Sequence, residues 1–158
     1  MSEDNRKRFV IARRDKFWAV EGYINEHSDL SKAAVDGDEL LLDLEQVEFI
    51  NSVGCKAWLI FIDSQKEKTI EYHGVSIPMM TAISMLPGLL PPAGKEAIKS
   101  FMLPYFCMNC NQEMEFKVEP SQLKIVDGTA FVDLLACKHC GSPAVVTEEN
   151  SEFLYLYV

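Results

Sequence analysis

The sequence predicts a mixed α/β domain followed by a small all-β module. In the first hundred residues, strand-like and helical segments follow one another in the order β-β-α-β-α-β-α-β, which indicates an open sheet covered by helices. Beyond them, short alternating segments and closely spaced cysteines replace the helical pattern. The chain has 158 residues. That length suits one domain of average size, or a small domain plus a module stabilised by metal.

The first elements are a hairpin and a short helix. Residues 9–12 and 17–20 are rich in β-formers and flank a polar turn, which predicts two antiparallel strands. Gly22 breaks or bends the second strand. Residues 28–35 carry apolar side chains at helical spacing and predict a short helix.

A central strand and a buried helix follow. Residues 40–44 form a nearly continuous apolar run, typical of a strand buried on both faces. Residues 47–50 are expected to form a loop. A polar break at residues 51–54 precedes a long apolar run, which predicts a well-buried helix starting near Cys55.

The domain closes with a strand, a helix and a last strand. Residues 69–73 alternate as a strand, and Pro78 suits the first turn of a helix that reaches Leu86. Pro87 and Gly88 stop that helix. A proline-rich loop then leads to a last strand at residues 98–103, next to the cysteine-bearing segment.

Four of the five cysteines form two pairs of the Cys-X-X-Cys type. Cys107 and Cys110 make the first pair, Cys137 and Cys140 the second, and 26 residues separate the pairs. A two-residue gap lets both sulfurs of a tight turn face one point, and two such turns make a tetrahedral sulfur cage. The spacing predicts a structural zinc ion, Zn2+, held by four thiolates with no position open for catalysis.

Other uses of these cysteines fit less well. Disulfides are disfavoured in a chain without an export signal, and a thioredoxin-type redox site needs one pair rather than two. Asn111 and Gly141 follow the two pairs, at positions where a tight turn favours positive φ. Cys55, outside the pairs, is interpreted as a buried free cysteine rather than a reactive one.

The segments around the cysteines predict a zinc ribbon of short antiparallel strands. Residues 114–118 alternate, residues 129–135 are strand-like after an Asp-Gly turn, and residues 152–158 are β-formers expected to make the last strand. Metal would supply much of the folding free energy of so small a module.

Charge and hydropathy narrow the classes of partner. The formal net charge is −9, so phosphate would be repelled and nucleic acid is not an expected partner. No run of 18 apolar residues is present, and the N-terminus is polar, which predicts a cytoplasmic protein without membrane insertion. A basic cluster between Arg6 and Lys16 is interpreted as a solvated tail and hairpin edge, with a docking patch for an acidic partner as the alternative.

The segment from Leu41 to Gly54 resembles the signature of STAS domains, the family of bacterial anti-sigma factor antagonists. An aliphatic strand, acidic and aromatic residues and then Asn51-Ser52-Val53-Gly54 stand where the family has Asp-Ser-Ser-Gly opening a helix. The resemblance covers roughly residues 8–103. It leaves residues 1–7 as a flexible N-terminus and residues 104–158 as the zinc-ribbon module.

The resemblance implies a binding surface. In the family this turn contacts a partner protein, often a kinase that phosphorylates the serine before the glycine. Here Asn51, Ser52, Val53 and Gly54 would form the partner site, but Val53 occupies the phosphorylation position and cannot accept phosphate. Ser52 is interpreted as the cap of the following helix. The expected partner is an anti-sigma factor or a related kinase or ATPase.

These expectations together predict a non-enzymatic regulatory module that binds a protein partner and is braced by a zinc ribbon. The sequence contains no recognisable catalytic motif: no nucleophile elbow surrounds Ser52, and no phosphate loop is present. Two alternatives stay open. The zinc thiolates could act as a redox or metal sensor, or the ribbon or an exposed C-terminal strand could pair chains into a homodimer.

Overall fold

A computed structural model describes residues 8–148 and 151–158 of this mixed α/β protein. The predicted flexible N-terminus, residues 1–7, lies outside the described residues. The first sheet has the order β1-β2-β3-β4, made of Val10–Arg14, Phe17–Ile24, Glu39–Ile50 and Thr69–His73. Strands β1 and β2 form the predicted antiparallel hairpin, whereas β2, β3 and β4 run parallel.

Two helices complete the first part of the chain. Helix α1 spans Ser52–Ser64 and links β3 to β4, and helix α2 spans Ile77–Met85, with Pro78 in its first turn as predicted. Short 3₁₀ turns at Leu30–Lys32, Pro87–Leu89 and Gly94–Ala97 fill the connections. The helix predicted for residues 28–35 is therefore wrong in extent, since a single 3₁₀ turn held by the Asp29 side chain takes its place.

The central strand β3 differs from its prediction in length and burial. It continues to Ile50, through the residues expected to form a loop, because Phe49 and Ile50 pair with the end of β2. Leu40, Leu42 and Leu44 are fully buried, but the alternate side chains on the other face are only half-buried. The prediction that this strand is buried on both faces is therefore wrong. Glu45, on the half-buried face, pairs with Lys117 at 2.9 Å between Oε2 and Nζ.

The second sheet has the order β6-β5-β10-β9 and is antiparallel throughout. Its strands are Phe101–Cys107 (β5), Gln112–Val118 (β6), Leu135–Ala136 (β9) and Pro143–Val146 (β10). A separate hairpin, Lys124–Val126 (β7) with Thr129–Phe131 (β8), turns at Asp127 and Gly128, which both have positive φ. A 3₁₀ turn at Pro120–Gln122 leads into this hairpin.

Strand β5 joins the two sheets. Ile98 and Phe101 make parallel bridges with Tyr72 and Val75 beside the first sheet, and the strand then continues to Cys107 in the second. Side chains from both parts belong to one cluster of buried residues, among them Leu42, Tyr105 and Phe153. The strand therefore runs across the division expected at residue 103.

The C-terminal segment corrects a prediction. Residues 152–158 were expected to form a strand, but Glu152–Tyr157 is a 3₁₀ helix. Phe153 and Leu154 are buried, and the Tyr157 ring stacks on Phe101 with centroids 5.6 Å apart. An exposed C-terminal strand that could pair two chains is therefore absent from the described residues.

Candidate functional site: the cysteine cluster and the start of helix α1

The two cysteine pairs meet where β5 and β10 lie side by side. Ala144 of β10 pairs with Cys107 at the end of β5, so the turn after β5 and the turn before β10 face each other. The four sulfurs of Cys107, Cys110, Cys137 and Cys140 all lie within 4.8 Å of one another. The grouping predicted from spacing is therefore present in the folded chain, with all four cysteines outside disulfides.

The two turns share one backbone design. The N–H of Asn111 donates to the carbonyl of Cys107 at 2.9 Å, and the N–H of Gly141 donates to the carbonyl of Cys137 at 3.0 Å. Asn111 and Gly141 both have positive φ, 55° and 76°. Residues that tolerate this conformation were the local signal that made both turns predictable.

The sulfur spacing fits a small tetrahedral metal ion. The Sγ atoms of Cys107 and Cys140 are 3.5 Å apart, and those of Cys110 and Cys137 are 3.6 Å apart. Thiolates about 2.3 Å from a tetrahedral ion are roughly 3.8 Å from each other. The cluster can therefore close around one ion with only small movements.

Hydrogen bonds already favour thiolate at part of the cluster. The Asn109 side chain donates to the Cys140 sulfur at 3.4 Å and, with Ser142, lowers the pKa of that thiol to about 6. Desolvation opposes ionisation of Cys137, but N–H groups of His139 and Cys140 hold its pKa below the usual value. Burial raises the pKa of Cys110 to about 12. Asn109 was not singled out from the sequence, because its role depends on a neighbour 31 positions away.

The predicted partner site is at the first turn of α1. Ser52 and Val53 are exposed, Asn51 is half-buried and Gly54 is buried. The side chain of Asn51 accepts from the N–H of Gly54 at 2.8 Å, so Asn51 caps the helix. The interpretation of Ser52 as the cap is wrong, since Ser52 is the first helical residue.

Asn51 also ties the helix to the preceding loop. Its Nδ2 donates to a carboxylate oxygen of Glu26 at 3.0 Å, and its N–H donates to the carbonyl of Ile24 at 3.2 Å. A backbone hydrogen bond, followed by this contact with Asn51, lowers the pKa of Glu26. Asn51 thus joins β2 through its backbone N–H, and the loop after β2 and the start of α1 through its side chain.

The Asn51→Ala variant should lose about 1 kcal/mol of unfolding free energy, because the cap and the Glu26 contact disappear together. Urea unfolding of the full chain measures this loss. The matched control is Ser52→Ala, which we expect to stay within about 0.5 kcal/mol of the parent because Ser52 is exposed. A larger loss for Ser52→Ala than for Asn51→Ala would contradict this capping assignment.

Helix α1 is anchored by its buried side. Trp58 donates from Nε1 to the Tyr72 hydroxyl at 2.9 Å, and that hydroxyl donates to the carbonyl of Leu89 at 2.6 Å. Trp58 and Phe61 pack in the core, as the sequence indicated. Cys55 is half-buried rather than buried as predicted, and desolvation raises the pKa of its thiol, as expected for a free cysteine of low reactivity.

The opposite side of α1 is exposed and carries two apolar residues, with Lys56 between them. Val53 is 53% exposed and Ile60 is 62% exposed. Residues seven positions apart lie on the same side of a helix, two turns from each other. We call this surface the α1 face, defined by Val53, Lys56 and Ile60.

The fold and the cysteine cluster define a mixed α/β protein with a candidate four-cysteine metal site. No protein-family model matches the chain, and comparisons with curated proteins and with solved structures find no similar protein. Among the described residues, no helix is long and apolar enough to cross a membrane.

Proposed function

We propose that this chain is a non-enzymatic regulatory module, related to STAS domains, that binds a protein partner through the α1 face. A structural zinc ion would hold the cysteine cluster. The parallel order of β2, β3 and β4 with α1 between the last two supports this relation, because it agrees with the β/α order that the resemblance implied. The expected partner is an anti-sigma factor, a kinase or an ATPase.

The observation that carries the proposal is an exposed apolar surface on a firmly held helix. Val53 and Ile60 project from a helix whose start is capped by Asn51 and whose other side is buried through Trp58. A preformed surface loses little conformational entropy on binding. Exposed apolar side chains at such a place gain free energy when a partner covers them.

The proposal does not include the kinase switch that is typical of the family. Val53 carries no hydroxyl, so phosphate cannot be attached at that position. Ser52 does carry an exposed hydroxyl in the first turn of α1, where free backbone N–H groups favour an added phosphate. Binding of the partner at the α1 face needs no phosphate at either residue, because it rests on the shape of the surface and on apolar contact.

Zinc is the ion that best suits the cluster. Four thiolates at tetrahedral spacing are typical of structural zinc, and all four positions are taken by protein ligands. Cys107, Cys110, Cys137 and Cys140 would hold the ion, which supplies stability and no reaction. We also propose a cytoplasmic location, because a reducing compartment keeps four cysteines available as thiolates for zinc.

The test of the α1 face is affinity capture with the full chain from a lysate of the source organism, followed by mass spectrometry. The Val53→Asp variant would bury a charge in the interface with the partner in place of an apolar contact. We expect the amount of the specific partner that is captured to fall at least tenfold. The control is Ile125→Asp, an equally exposed apolar residue in β7, away from α1. If both variants retain every captured protein equally, the α1 face is not the binding surface.

A further inference from the structure

A second surface is formed by the C-terminal part of the chain. A groove of about 550 Å³ opens between β8, β10 and the C-terminal 3₁₀ helix. Its volume falls within the range of pockets that bind specific ligands. Most of its lining is apolar, and the most exposed apolar members are Phe131, Leu134, Val145, Tyr155 and Val158.

Exposed apolar side chains line the groove, and one of its walls is anchored to the core. Leu134 is 60% exposed and Tyr155 is 74% exposed. Phe153 and Leu154, next to Tyr155, are buried, so the wall formed by the C-terminal helix is fixed to the core. Contiguous exposed apolar side chains on a fixed wall are typical of a binding surface.

The charge at the groove has one sign. Glu148 and Glu152 are part of its lining, which includes no lysine or arginine. Lys124, in strand β7, forms an ion pair with Asp133, the residue before Leu134, at 2.7 Å between Nζ and Oδ2. Within residues 8–148 and 151–158, no ion pair involves Glu148 or Glu152.

We propose that this groove binds a short amphipathic segment of a partner protein, whose apolar side chains enter the groove while its lysine or arginine side chains meet Glu148 and Glu152. The carboxylates favour a basic segment by charge complementarity. They repel both phosphate-rich nucleic acid and anionic lipid surfaces, so a protein segment is the occupant that fits. This surface is separate from the α1 face and does not depend on it.

The test uses three labelled synthetic peptides of equal length with the full, metal-replete chain. One contains leucine and lysine, one leucine and glutamate, and one serine and lysine, and fluorescence anisotropy at physiological salt measures their binding. We expect the leucine–lysine peptide to bind at least tenfold more tightly than either of the others, because the groove needs both apolar and basic groups.

Variants then locate the binding. Leu134→Ser should weaken the leucine–lysine peptide about tenfold and Glu152→Gln about threefold, because both side chains line the groove. Both residues are exposed, so the fold should tolerate the changes. The matched controls, Met85→Ser and Glu67→Gln, change exposed residues outside the groove and should leave the affinity unaltered.

Four outcomes would overturn the proposal. Equal binding of all three peptides, or binding that Leu134→Ser does not weaken, would mean that the groove does not select this chemistry. Self-association of the chain that Leu134→Ser abolishes in light scattering would make a second copy the occupant. Binding to phosphatidylserine vesicles that Leu134→Ser abolishes would make a lipid surface the occupant.

Discussion

The Cys107→Ser variant should purify without the metal ion that we expect at one per parent chain, and should lose at least about 4 kcal/mol of unfolding free energy. Cys107 is fully buried at the end of β5, and a serine hydroxyl is a poor replacement for a thiolate ligand. Metal binding by structural cysteine sites is itself a large part of folding free energy. Elemental analysis and denaturant unfolding provide the two measurements.

Cys55→Ser is the matched control for this prediction. Cys55 lies in α1, outside the cluster, so the ion should remain at one per chain. Elemental analysis also identifies the ion: we expect zinc, and iron is the other metal that four thiolates can hold. A parent chain that purifies without metal, or a Cys107→Ser variant that keeps it in full, would refute the proposed zinc site.

The Gly54→Ala variant should be destabilised by about 3 kcal/mol, because an added methyl group has no room between α1 and β2. A Cβ at Gly54 would lie 2.0 Å from the carbonyl oxygen of Ile24 and 2.6 Å from its carbon. Both are backbone atoms, and β2 is held by its two neighbouring strands. The helix would therefore have to move, which urea unfolding can measure.

Gly88→Ala is the matched control for Gly54→Ala. A Cβ at Gly88 would meet the Leu59 side chain at 3.6 Å, an ordinary van der Waals contact, and nothing else within 4 Å. We expect this variant to unfold within about 1 kcal/mol of the parent, since no backbone atom obstructs the new methyl. Equal stabilities for the two variants would show that the start of α1 yields easily to an added side chain.

Local signals made part of this structure predictable. The cysteine turns were recognisable because ligand spacing and the positive-φ residues Asn111 and Gly141 lie within a few positions of each other. Strand β4 and helix α2 also match their predictions, since alternation and an early Pro78 are local features. Gly54 was part of the family signature, but its close approach to Ile24 follows only from the packing of α1 on β2.

Features set by distant partners were not predictable from sequence alone. The aromatic C-terminus has the composition of a strand, yet β-propensity depends strongly on context. The rings of Phe153 and Tyr157 pack against Phe101, and residues 152–157 form a 3₁₀ helix. Strand β3 extends to Ile50 because β2 offers paired partners there. The two groove walls around Leu134 and Tyr155 come from segments that are separate in sequence, and only tertiary packing brings them together.

Strand β5 has a mechanical consequence for the whole molecule. At one end its Phe101 is packed against the C-terminal aromatics, and at the other its Cys107 would hold the ion, about 20 Å away at the usual rise per residue. Cys107 pairs with Ala144 of β10, and the next residue of that strand, Val145, lines the groove. We therefore expect loss of the ion to loosen the wall of the groove that β10 forms, in addition to the cysteine turns.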